Sequence, residues 1–264
     1  MMLSAADTAA ARDTLVRAVR TAGSLQLEAQ PAVRAERKGE ADLVTAVDRD
    51  CEAAVVSLIA RAHPAHSILA EEGTGARAER GPLWILDPLD GTKNFVHGSP
   101  RFACALALSR DGETVLGAVY CPALDELFLA ERGSGATVNG ARLRVSATAE
   151  LGDALIASAL TVRRRFEARQ FGRLERLVRS TQGVRAGGCA SLDLCDVARG
   201  RLDAYFEEGL DPWDTAAGAL IVREAGGAVT TFDGRPHDPF GSETLATNGR
   251  VGAAMIAQLR GDPP

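Results

Sequence analysis

Apolar residues recur at three- and four-residue intervals twice near the start of the chain. Between Ala5 and Gln30, Leu15, Val16 and Val19 alternate with Arg12, Asp13, Arg17 and Arg20, and Pro31 follows, which predicts a helix burying one face. Val47, Cys51, Ala54, Val55, Leu58 and Ile59 repeat the pattern up to Pro64, with Asp48 near the start of a second helix. The charged, glycine-containing stretch from Arg34 to Glu40 between them reads as a mobile loop. The period then shortens. Ser67 to Ala70 and Leu83 to Leu86 are apolar runs of strand type. Phe102 to Leu108, Thr114 to Tyr120 and Glu126 to Ala130, separated by Asp111-Gly112 and Pro122-Ala123, predict an antiparallel meander. Asn139-Gly140 adds a tight turn, with Leu143 to Val145 closing the sheet.

After about Ser146 the pattern alternates. Ala154 to Ala157, a charged helix from about Arg165 to Ser180, Leu192 to Ala198, Ala204 to Phe206, Trp213 to Glu224 and Ala228 to Phe232 predict short strands and helices in layers. The expected fold is therefore an α+β or α/β layered sandwich, an antiparallel-rich sheet followed by a second, mixed sheet with helices. No repeat or low-complexity linker divides the chain, so residues 1–264 are expected to form one domain, with a subdomain seam between 1–145 and 146–264. Gly261 to Pro264 should fray.

Composition narrows the class. A net charge of -5 argues against a general nucleic-acid binder, whose affinity rests on neutralising phosphates. The five cysteines form no Cys-x-x-Cys pair, which indicates neither a disulfide framework nor a zinc site and suits reduced thiols in a cytoplasm. Charged residues interrupt every apolar stretch before it could span a membrane or serve as a signal peptide.

Candidate chemistry gathers at Asp87-Pro-Leu-Asp-Gly-Thr92, directly after an apolar strand. Two carboxylates three residues apart are hard oxygen ligands of the kind Mg²⁺ prefers, Pro88 stiffens the connection, and Gly91 lets backbone N–H groups approach an anion. A strand ending in an Asx-type turn would leave the same pattern. Glu71 and Glu72 also follow an apolar strand, and Asp214 stands where it could N-cap the helix Thr215 to Glu224. Solvated charge and a simple cap are the plainer explanations of these. His63, His66, His97 and His237 are isolated and read as packing or solvent-facing.

Four ordered elements together resemble the inositol monophosphatase family. Asp87-Pro-Leu-Asp-Gly-Thr-Lys-Asn-Phe95 is similar to its first signature, and Trp213-Asp-Thr-Ala-Ala-Gly-Ala-Leu-Ile-Val-Arg-Glu-Ala-Gly-Gly227 to its second. Asp42-Leu-Val-Thr-Ala-Val-Asp48 and Glu71-Glu72-Gly73 complete the set, so the likeness covers nearly the whole chain. It implies alternating α-β-α-β-α layers and a Mg²⁺-dependent, Li⁺-sensitive phosphomonoesterase acting through water, without a covalent intermediate.

Carried over residue by residue, the resemblance implies that Glu71, Asp87 and the Leu89 carbonyl hold one Mg²⁺, that Asp87, Asp90 and Asp214 hold a second, and that a third binds more weakly near Glu71. Glu71 and Thr92 would orient and deprotonate the water, Asp48 accepting the Thr92 proton. Backbone N–H groups of Gly91 and Thr92 would hold the phosphate. Gly188, Cys189, Ala190 and Glu207 would line the alcohol, with Asp90 and Asp214 beside it. Inositol 1-phosphate is the leading substrate; histidinol phosphate, fructose 1,6-bisphosphate and a 3'-phosphonucleotide are alternatives on the same fold. A homodimer is expected. A part in a transcription complex, as some bacterial relatives have, is the non-enzymatic alternative, for which the basic run Arg163 to Arg165 offers a local patch. Lys38 is a candidate for closing the site.

Overall fold

The computed structural model describes residues 5–30, 35–37, 43–78, 80–159 and 167–261. Lys38, Asp42 and Arg163 to Arg165 lie outside these. Helices α1 (Ala5–Ala29) and α2 (Ala46–Ala62) stand where the periodicity placed them. Between them β1 (Ala35–Arg37) pairs antiparallel with β2 (Leu43–Thr45), so part of the expected mobile loop is a strand. Ladder bonds use backbone groups only, and a charged composition does not prevent them.

Seven strands build the first sheet in sequence order: β3 (Ser67–Ala70), β4 (Pro82–Asp90), β5 (Ala103–Arg110), β6 (Glu113–Cys121), β7 (Glu126–Glu131), β8 (Gly135–Val138) and β9 (Ala141–Arg142). The β3–β4 pair is parallel and the rest are antiparallel. The closing strand is Ala141–Arg142 rather than Leu143 to Val145. Asn139 and Gly140 both take positive φ, 48° and 82°, and this two-residue turn sets Ala141 opposite Val138 at once.

Alternation along β4 divides its side chains between two cores. Trp84 and Leu86 face α1 and α2, each contributing about 1.5–3 kcal/mol by leaving water. Leu83 and Ile85 face the opposite way, toward α5 (Ala190–Ala198) and α6 (Pro212–Glu224). Beyond those helices lies a five-stranded mixed sheet in the order β11 (Gly183–Arg185), β10 (Leu155–Ser158), β12 (Ala204–Glu208), β14 (Glu243–Thr247), β13 (Ala228–Thr230). Its outer face packs Ile156, Phe206 and Leu245 on α4 (Glu167–Ser180) and α7 (Gly252–Arg260). The layers run α-β-α-β-α. Among the described residues no helix is long and apolar enough to cross a membrane, and all five cysteines are buried and free of disulfides.

One close approach positions the functional site. A Cβ on Gly117 of β6 would lie 3.0 Å from the Ala217 carbonyl oxygen and 3.1 Å from its Cα. The small residues Ala216 to Ala219 therefore let α6 lie against the first sheet, bringing its N-terminal turn to the end of β4.

Candidate active site

Glu71 and Asp87 leave neighbouring parallel strands at the same level. Ala70 is level with Leu86 in the register, and the Glu71 N–H donates to the Leu86 carbonyl at 3.2 Å. The expected turn after Leu86 is instead a continuation of the strand. β4 runs on to Asp90 with a register shift: Asp87 pairs with Ala105 and Asp90 with Ala103. Residues three apart in a regular strand face opposite sides, but one extra residue restores the face. Asp90 thus returns to the side of Asp87, while the Leu89 side chain, 1% exposed, joins the α1–α2 core. Pro88 has no N–H to lose from the ladder, and its carbonyl accepts from Gln26 Nε2 at 2.8 Å.

Gly91 then turns the chain into the short helix α3 (Thr92–Val96) with φ 85° and ψ 34°. A Cβ there would meet the Arg101 carbonyl oxygen at 2.8 Å and Cys189 Cβ at 3.2 Å. Gly91→Ala should therefore cost about 1–2 kcal/mol from the left-handed backbone alone and displace Thr92. The expected outcome is a lower melting temperature with activity reduced more than the folded fraction; unchanged activity and melting would contradict this geometry.

Asp48 and Asp214 occupy equivalent places on two helices. Asp48 is the third residue of α2, and its Oδ2 accepts from the N-capping Thr45 through N at 2.8 Å and Oγ1 at 2.5 Å. Asp214 is the third residue of α6, not its N-cap as expected: the cap is Asp211, whose N–H donates to Asp214 Oδ2 at 2.7 Å. Pro212 accounts for the difference, because it starts a helix readily at the first position and moves the boundary back. In each case one oxygen is spent on the cap. Asp48 Oδ1 accepts from Thr92 Oγ1 at 3.2 Å, with the Leu89 carbonyl at 3.0 Å from the same hydroxyl. One proton thus faces two acceptors.

Like charges converge here. Burial, then Glu71, Asp90 and Asp214, hold the Asp87 carboxyl well above the usual carboxylate range. Burial, then chiefly Asp90, with Glu71 and Glu207 adding, do the same to Asp214. A carboxyl whose folded pKa is raised loses stability for the fold as pH climbs from its ordinary 3.8 through the raised value. The melting temperature of EDTA-treated protein should accordingly fall as pH rises above that ordinary value, and saturating Mg²⁺ should flatten that slope. A metal-free melting temperature that rises instead would contradict the clustering.

Among the described residues no group of three or more His, Cys, Asp or Glu side chains stands in ready-made ligand geometry. Carboxylate oxygens bond internal donors instead. Asp90 Oδ2 accepts from Ser191 N at 2.7 Å, Ser191 Oγ at 2.6 Å and Cys189 Sγ at 3.1 Å, and Asp87 Oδ1 accepts from Leu89 N at 2.9 Å. The donor set is nonetheless all hard oxygen, and its buried like charges call for cations. In the chemistry of its donors the set fits Mg²⁺.

Directly against Asp90 of this cluster, Gly188 and Cys189 lead into α5, which Ala190 opens. Asn94 Nδ2 ties the segment down through the carbonyls of Gly187 at 2.9 Å and Arg101 at 2.7 Å. Arg101 bonds Asp193 and Asp196 of α5 at 2.7 and 2.9 Å. Glu207 Oε2 accepts from the buried Tyr205 hydroxyl at 2.5 Å. Sequence reading missed Ser191 and Tyr205 as supporting residues and gave Asn94, inside the first signature, no role of its own; the available signal was that Ser191 follows Ala190 and Tyr205 stands two residues before Glu207 on the same strand face. His63 and His66 stack at 4.7 Å, His66 Nδ1 accepts from Trp84, His237 is buried, and His97 is exposed. A cleft of about 830 Å³ lies elsewhere, between α4, α7 and the β13–β14 connection. Its Arg173, Arg176 and Arg235 bond Glu208, the Gln258 carbonyl and Asp233, and none of the acidic cluster lines it.

Fold and site define a five-layered α-β-α-β-α protein with an acidic centre where parallel strands and a helix N-terminus meet. The chain belongs to the inositol monophosphatase family, whose model matches residues 4–262. It is 41% identical over 254 residues to the Escherichia coli K12 protein named Nus factor SuhB, covering 93% of this chain and 94% of that one. A solved Thermotoga maritima IMPase superimposes with a TM-score of 0.88 at 36% identity, covering 95% of this chain and 96% of that one. An IMPase/NADP phosphatase solved with Mg²⁺ and phosphate matches with a TM-score of 0.81 at 27% identity, covering 90% of each.

Proposed function

We propose that this protein hydrolyses a phosphate monoester in a Mg²⁺-dependent reaction, with inositol 1-phosphate as the leading substrate. The observation that carries the reading is the meeting of Glu71, Asp87, Asp90 and Asp214 in one mutually repelling cluster. Glu71, Asp87 and the Leu89 carbonyl would hold one Mg²⁺, and Asp87, Asp90 and Asp214 a second; a third near Glu71 would be weaker. When bound, such ions neutralise the phosphate, activate water and steady the leaving oxygen.

The chain's own groups supply the rest. Thr92, its hydroxyl proton drawn toward Asp48, can accept a proton bond from the attacking water, with Glu71 as second acceptor. Left-handed Gly91 would offer its own N–H and that of Thr92 to the phosphate. Glu207, braced by Tyr205, offers a carboxylate to a polyol hydroxyl, and the Gly188 to Ala190 backbone lines the ring. The resemblance further supports a cytoplasmic homodimer of single-domain chains, inhibited by Li⁺.

The test is phosphate release from inositol 1-phosphate, histidinol phosphate, fructose 1,6-bisphosphate and a 3'-phosphonucleotide, with and without Li⁺. Inositol 1-phosphate should give the highest kcat/KM. Preference for another ester would move the substrate assignment within the same chemistry.

A second reading is favoured by the name of the Escherichia coli relative, a Nus factor: this chain would also bind a transcription complex. Recovery of RNA polymerase subunits with tagged protein from its native lysate would support it, and their absence would count against it.

A further inference from the structure

One helical turn beyond Asp48, α2 carries another buried carboxylate. Glu52 is 5% exposed. Its Oε2 accepts from Glu72 N at 2.8 Å, and its Oε1 from Thr74 N at 3.1 Å and Thr74 Oγ1 at 2.5 Å. Positions four apart share a helix face, so one face of α2 grips both acidic segments. Asp48 reaches the Asp87–Thr92 segment through Thr92; Glu52 reaches the turn that follows Glu71.

Backbone bonds brace the two ends of that turn, Ala70 N–H donating to the Thr74 carbonyl at 3.0 Å and Leu69 bridging to Gly75, and Glu52 adds side-chain acceptors at its middle. Glu71 sits just past the last paired residue of β3. Gly73, at φ 110°, would have no heavy atom within 4 Å of a Cβ, and its own N–H bond to Ala70 is long, at 3.4 Å. Three donors converge on two oxygens, a demand that a carboxylate meets and a carboxamide does not, because its NH₂ must face one of the donors. Charge-assisted bonds of this kind are about twice as strong as neutral ones.

We propose that Glu52 is a positioning residue that sets Glu71 against Asp87, so that α2 fixes the separation of the two strand-end carboxylates. The inference rests on the Mg²⁺ reading above. Its test compares wild type with Glu52→Gln by calorimetric titration with MgCl₂, amide hydrogen exchange, and the Mg²⁺ dependence of phosphate release. The expected result is faster exchange at Glu72 and Thr74, Mg²⁺ affinity lowered about ten-fold, and kcat restored to near wild type by excess Mg²⁺. A merely structural role would lower the melting temperature and leave Mg²⁺ affinity unchanged.

Thr74→Val, which removes one donor and keeps the carboxylate, should shift affinity the same way by a smaller factor, and it carries the test should Glu52→Gln fail to fold. Unchanged Mg²⁺ affinity in the folded variants overturns the role of Glu52 alone. A wild type that binds no Mg²⁺ overturns the metal reading and this inference with it. A wild type that binds Mg²⁺ without hydrolysing any ester removes only the reaction, and the affinity comparison still decides for or against Glu52.

Discussion

Asp87→Asn should abolish Mg²⁺-dependent phosphate release while raising the melting temperature of the metal-free protein. Asp87 is 1% exposed, and burial with the charges of Glu71, Asp90 and Asp214 disfavours its ionised form. An asparagine keeps the shape, and its oxygen can still accept from Leu89 N, the bond now made by Oδ1. The substitution removes a repelled charge from the apo fold. A gain of only about 1 kcal/mol moves the melting temperature of a chain this size by about 2–4 °C. The same change deletes the carboxylate proposed to bridge two ions, each worth several kcal/mol of transition-state charge stabilisation, so activity should fall at least about 1,000-fold. Thermal melting in EDTA and phosphate release in Mg²⁺, measured on one preparation, give both signs. Lower metal-free stability at neutral pH, or activity within ten-fold of wild type, would contradict this assignment.

Asp90→Asn should lose activity about 100-fold or more with a smaller gain in stability, because the relief it gives Asp87 and Asp214 is offset by weaker bonds from its own donors. Its Oδ2 already accepts from Ser191 N, Ser191 Oγ and Cys189 Sγ, so the carboxylate is compensated from within. The amide oxygen can keep those bonds by taking the place of Oδ2. A metal-free melting temperature between those of wild type and Asp87→Asn, with lost activity and weakened Mg²⁺ binding, is the expected pattern. Full activity would remove Asp90 from the site. The contrast between the two variants separates a repelled carboxylate from a satisfied one, which a simple count of ligands does not.

Element types were legible wherever a period ran for several residues. α1, α2 and the meander carry sustained apolar spacing, and their strands and helices fall within a few residues of the expected bounds. The turn after Leu86 was misread because spacing alone cannot distinguish a tight turn from a bulged strand; the step from Asp87 to Asp90 faces one side only when β5 supplies the register. Short pieces such as β9, β11 and α3 have too few residues for a period to emerge. Leu143 to Val145 was apolar enough for a strand, yet the Asn139-Gly140 turn had already set the closing pair. Glu52 escaped notice because its partners are backbone N–H groups twenty and more residues away, and backbone donors leave no mark in a sequence. Asp48 and Asp214 were legible as acids but not as members of capping boxes that share an oxygen with the site.

Phosphate release from inositol 1-phosphate by the purified wild type, titrated with Mg²⁺ from an EDTA-treated start, bears most directly on the central claim. Release should be absent without the ion, rise to saturation with it, and disappear in Asp87→Asn. Release that is independent of Mg²⁺, or no release from any phosphate monoester at saturating Mg²⁺, would contradict the account of this acidic centre.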